Sequence, residues 1–77
     1  MTITELRNHE EYQKCLDKVK SYKEGFKFTL NWTQIPKAKA NALRQIMTDF
    51  IEMGLLESMK FDLNLKGEIT SETYRKI

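Results

Sequence analysis

The chain of 77 residues has one cysteine, one histidine, one proline and three glycines, and no apolar run near the ~18 residues that a membrane span needs. A single cysteine, Cys15, excludes an internal disulfide and a thiolate metal cluster, which fits a reducing compartment. The only histidine, His9, has no cysteine partner and no carboxylates at a ligand spacing, so it reads as a surface residue. No Gly-rich phosphate loop, metal-ligand spacing or nucleophile motif occurs. The expectation is a protein without catalysis, cofactor or metal. The start, Met1-Thr2-Ile3-Thr4-Glu5-Leu6-Arg7, also lacks the basic, apolar and small-residue regions of a secretory signal, which points to the cytoplasm.

Acidic residues are missing from one long stretch. Between Gly25 and Thr48 there is no Asp or Glu, while Lys27, Lys37, Lys39 and Arg44 are present. The flanks are balanced, with five bases and five acids in residues 1–25 and four of each in residues 54–77. The formal net charge of +2 is therefore concentrated in the middle, the footprint of a modest phosphate-facing patch.

At 40% hydrophobic and 31% charged, the composition is too apolar for a disordered chain. The length suits one domain, residues 1–77, burying roughly 60–65% of its unfolded surface. Stability on that scale is modest, and a homodimer would add to it.

Asn8 with Glu11 has the spacing of a capping box, and Thr2 with Glu5 offers an earlier one. Tyr12, Cys15, Leu16, Val19 and Tyr22 then recur at helical steps, predicting an amphipathic helix that ends before Gly25. Cys15 on that stripe is a small hydrophobe. From Phe26 the period becomes two, with Phe26, Phe28, Leu30 and Trp32 on one face of a short strand. Asn31 or Thr33 can cap a second helix whose first turn accommodates Pro36. Its apolar stripe is Ile35, Ala42, Leu43, Ile46, Phe50 and Met53, and Gly54 stops it. Met59, Phe61, Leu63 and Leu65 alternate with polar residues in a further strand, Lys66-Gly67-Glu68 turns, and residues near Thr70 to Lys76 return with Tyr74.

The order helix-strand-helix-strand-strand predicts a compact α+β domain in which a three-stranded antiparallel sheet packs against two helices. A long helix, a Gly stop and a hairpin are the sequence form of the recognition helix and wing of a winged-helix domain. Between the first strand and the long helix only Trp32-Thr33-Gln34-Ile35 is available, so a single helical turn stands there, or the fold is shortened.

At about 100° per residue, Lys37, Asn41, Arg44 and Thr48 share one face of the long helix, opposite Leu43, Ile46 and Phe50. On DNA, Arg44 suits guanine edges, Asn41 adenine edges and Lys37 phosphate. Lys39 lies nearer the apolar side, with Lys27 and Lys66 as outlying basic contributors. Asp49 and Glu52 would repel phosphate and confine a binding surface to the first half of the helix. Among the aromatics, Trp32 and Tyr74 stand at element ends as candidate stackers for single-stranded bases, while Phe26, Phe28, Phe61 and Tyr22 read as core.

In FTLNWTQIPKAKANALRQ and in the terminal Thr73-Tyr74-Arg75-Lys76-Ile77, the chain resembles small winged-helix-like proteins of Gram-positive bacteria and their mobile elements. Some of these, including proteins of staphylococcal cassette elements, are associated with single-stranded DNA binding. The resemblance spans roughly residues 26–77. It implies a DNA-binding accessory protein of replication or mobility. A protein-interaction module that inhibits or recruits a host or replication factor is the competing expectation. It would use the same polar face or an apolar patch of Trp32, Met47 and Ile51, which could also seal a homodimer.

Overall fold

A computed structural model describes residues 2–77, the side chain of Ile3 excepted. The elements are α1 (Ile3–Arg7), α2 (Glu10–Lys20), β1 (Lys27–Asn31), a 3-10 turn (Trp32–Gln34), α3 (Lys37–Glu52), β2 (Leu56–Leu63) and β3 (Ile69–Lys76). Apart from the short α1, this is the expected α+β order, with two main helices against one antiparallel sheet. The sheet runs β1-β3-β2, so the C-terminal strand is central and both other strands are edges. No helix among the described residues is long and apolar enough to cross a membrane.

The N-terminus departs from the expected single helix. Thr2 Oγ1 accepts the Glu5 N–H at 3.2 Å and caps α1. Asn8 then closes α1 in an αR conformation and cannot adopt the extended backbone of an N-cap, so the Asn8–Glu11 box does not form. His9 takes that role, its Nδ1 accepting the Glu11 N–H at 3.2 Å. Five residues are too few for a readable period; α1 is instead fixed by its contacts, since Leu6 is buried and Arg7 reaches α3.

Ahead of α3, the proline ring holds Ile35 extended, and Asn31 caps the 3-10 turn by accepting the Thr33 N–H. Pro36 itself is the α3 N-cap and supplies no capping side chain. The C-terminus closes by the Gly54 stop that the sequence announces. With Gly54 at φ 77°, its N–H bonds Ile51 O at 3.0 Å and the Leu55 N–H bonds Phe50 O at 2.9 Å. This paired return satisfies two carbonyls that the helix end would otherwise orphan.

Ala40, Leu43, Ile46, Met47, Asp49 and Phe50 are the buried positions of α3, a stripe broader than expected because α1 and α2 cover one flank and the sheet the other. Around Ile46 and Phe50 pack Leu6, Tyr12, Val19, Trp32, Leu56 and Tyr74. Several expectations fail here. Trp32 and Tyr74, read as exposed stackers, are core residues, and Met47 is buried, so the Trp32–Met47–Ile51 patch does not exist. Met53 is exposed instead of core, because it forms the C-cap after the stripe has ended.

The larger correction concerns β2. Its alternating apolar set lies in solvent: Met59, Phe61, Leu63 and Leu65 are 42%, 55%, 55% and 108% exposed, and Phe26 is 46% exposed. Reach explains this, since the register keeps Phe61, opposite Glu72, on the helix side of the sheet. Ser58 pairs with Tyr74 but Lys60 with Thr73, so Met59 is an extra residue in a bulge. Only Leu56, before the bulge, is buried, and beyond it the hairpin runs out past the helices.

Candidate nucleic-acid interface

The sheet sorts its residues by face. Thr29 Oγ1 and Thr73 Oγ1 are hydrogen-bonded at 2.8 Å, Ser71 donates to Asp62 at 2.7 Å, and Arg75 pairs with Glu57. All lie on the face turned from the helices, and the register adds Lys27, directly opposite Arg75. Lys27 is thus on the far side of the sheet from the polar face of α3. Lys39 is separated too: it lines hollows between α2 and α3 and sits 3.8 Å from Glu11.

The remaining residues do come together. Lys37, Asn41, Arg44 and Thr48 are all exposed along one side of α3, as the helical spacing predicts. Lys37, Asn41 and Arg44 form one wall of a groove of about 360 Å³ whose other wall is Asn64, Glu68, Ile69 and Thr70 of the hairpin. Trp32 and Ile35 line it as well. Thr48 opens instead on a neighbouring hollow with Leu6, Gln45, Asp49 and Glu52.

Arg44 has a structural part in the groove. Its guanidinium lies 5.2 Å from the Trp32 ring centroid and donates to Ile69 O at 3.1 Å. The stacked cation covers the indole, and the hydrogen bond ties the start of β3 to α3. A guanidinium carries five N–H donors, so one bond to Ile69 leaves others for a ligand. The Trp32 Nε1–H, buried beneath, has no hydrogen-bond partner among the described residues. Sequence periodicity marks Arg44 as a surface cation but carries no signal for either contact, which join residues far apart in the chain.

The hairpin turn is organised by Asn64, which sequence reasoning missed. Its Oδ1 accepts the N–H groups of Lys66 at 2.9 Å and Glu68 at 3.0 Å. An Asn closing its own turn two residues on is the available signal. Lys66 is thereby held at the tip, exposed, with Gly67 at φ 79° beside it.

Asp49 does not act as a surface charge on this face. It is 2% exposed, and its carboxylate accepts from Arg7 Nε at 3.1 Å, Arg7 Nη2 at 2.8 Å and Tyr12 Oη at 2.5 Å. The Arg7 fork holds the Asp49 carboxyl below the usual range despite burial, with Tyr12 adding to the effect. Of the two acidic residues at the end of α3, only Glu52 is left exposed to repel phosphate, and Glu68 stands on the hairpin wall of the groove itself.

Cys15 is half-buried, and burial with Glu11 nearby pushes its thiol pKa up, so the reactive thiolate is disfavoured. No group of three His, Cys, Asp or Glu side chains among the described residues is placed to hold a metal ion. No protein-family model, curated protein or solved structure matches the chain.

Proposed function

We propose that this chain is a non-catalytic nucleic-acid-binding accessory protein of the winged-helix type, serving a bacterial or mobile-element replication or transcription system. The observation that carries this reading is the groove. Lys37, Asn41 and Arg44 open together on the side of α3 beside the hairpin turn, and no carboxylate stands in the first three turns of that helix. Lys37 contacts phosphate, with Lys66 at the hairpin tip as a second cation. Asn41 and the unused donors of Arg44 address base edges or sugar oxygens. Lys27 and Lys39 lie elsewhere and are left out of the surface, and stacking on Trp32 or Tyr74 is dropped because both are buried.

The test is the double substitution Lys37→Glu with Lys66→Glu, which spares the packed Arg44. Binding to a mixed-sequence oligonucleotide at low salt, followed by fluorescence anisotropy, falls by about tenfold or more, since two phosphate contacts become repulsions. Unchanged binding sinks the reading.

One observation favours a protein partner. Phe61, Leu63 and Leu65 expose apolar side chains in sequence along the hairpin, which a phosphate backbone does not need. A protein-interaction module, inhibiting or recruiting a replication factor, would use this strip and not the patch around Met47.

A further inference from the structure

The hairpin's exposed strip lies on an open edge, and its residues are arranged to match themselves. Among the described residues, β2 has β3 on one side and no strand on the other. Which of its backbone groups are free follows from the ladder. Lys76 donates to Phe26 O at 2.8 Å and accepts from the Gly25 N–H at 2.7 Å, so it faces β1. Alternation along β3 then turns Arg75, Thr73 and Ser71 toward β2, where they oppose Glu57, Lys60 and Asp62. Phe61 therefore directs its N–H and C=O groups away from the sheet; so does Leu63, past a second register shift, because it stands between Asp62 and Asn64, whose N–H bonds Glu68 O at 3.0 Å across the hairpin. An edge with free amides and large apolar side chains is a template for another strand.

We propose that the occupant is a second copy of this chain, joined β2 to β2, antiparallel about a two-fold axis at Phe61. That register sets Phe61 opposite the partner's Phe61, with their backbone amides paired. It sets Lys60 opposite the partner's Asp62 and Asp62 opposite the partner's Lys60. Met59 falls opposite the partner's Leu63. Two opposite-charge pairs thus form across a symmetric, self-complementary contact. A shift of the axis by one residue to Asp62 would bring two carboxylates face to face, which selects the Phe61 register. Phe61 shares Glu72 as cross-strand neighbour with the half-buried Leu30, so its ring stands on the helix side of the sheet. There the two Phe61 rings and the Leu63 side chains cover one another.

Two whole-molecule quantities agree. The accessible surface is 5458 Å², against about 4,900 Å² for a monomeric chain of 9.2 kDa. The radius of gyration is 12.5 Å, against about 11.5 Å for a compact chain of this length. The projecting hairpin exposes surface that a lone domain of this size does not ordinarily carry.

Sedimentation equilibrium on the full chain tests the proposal. The wild type passes from 9.2 kDa toward twice that mass as concentration rises. Lys60→Asp and Asp62→Lys each weaken association by about tenfold, because both charge pairs become repulsive. The double reversal restores it. All these side chains are exposed, so folding is retained and circular dichroism checks it. Hydrogen exchange on the unmodified chain gives an independent reading: the Phe61 and Leu63 amides slow as concentration rises. A monomer at every concentration, a dimer indifferent to the reversals, a double reversal no better than the singles, or exchange at Phe61 independent of concentration overturns the proposal.

Discussion

Asp49 is the residue on which the N-terminal half depends. Its carboxylate is buried and receives three donors from α1 and α2, so a single side chain joins three helices. Tyr12→Phe removes one donor to a buried charge and is expected to cost about 2 kcal/mol in urea unfolding. Arg7→Ala leaves the carboxylate with Tyr12 alone and destabilises as well. The pH dependence has a definite sign. Because the folded Asp49 carboxyl lies below its ordinary value of about 3.9, its contribution is complete above that pH and is lost as pH falls through the folded value. Asp49→Asn should flatten this acid limb while lowering stability near neutrality. A variant whose acid midpoint follows the wild type would contradict the assignment. Tyr74 acts at the other end: burial and the nearby Glu72 raise its phenol pKa, so stability declines as pH rises above about 10.

Among the elements, the end of α3 and the course of β2 show why some structure was readable and some was not. Gly54 was readable because a helix that returns through a left-handed residue needs a glycine there, and the paired return bonds confirm the requirement. Gly54→Ala should cost about 1 kcal/mol in thermal or urea unfolding, since the added methyl strains a backbone held at φ 77° and gains no contact. A neutral result would mean that the turn relaxes. The polar side of α3 was equally legible, as spacing alone places Lys37, Asn41, Arg44 and Thr48 together. What spacing does not encode is how far along a strand the helices reach. Alternation from Met59 to Leu65 promised a buried face, but the hairpin reaches past the helices and leaves Phe61 and Leu63 in solvent. Trp32 was misplaced because it stands at the end of β1, where the sequence does not show that Arg44 covers it in the core. Asp49 looked like a surface charge because its partners are 42 and 37 residues away.

Taken whole, the molecule separates two kinds of surface. A cation-bearing groove lies between the first half of α3 and the hairpin turn, and an apolar edge lies along β2. Pairing at the β2 edge would place two grooves in one assembly, so a nucleic acid long enough to reach both would bind more tightly than a short one. The sheet face turned from the helices carries the polar ladder, which takes no part in the groove but supplies Lys60 and Asp62 to the pairing at the β2 edge. The most direct measurement is a salt titration of affinity for single- and double-stranded oligonucleotides, with the protein kept dilute. Contacts from Lys37, Lys66 and Arg44 predict that log K falls against log salt with a slope of about −2 to −3. The slope should lose about one unit with Lys37→Glu. No binding at low salt, or a slope near zero for both kinds of oligonucleotide, would contradict a phosphate-facing groove.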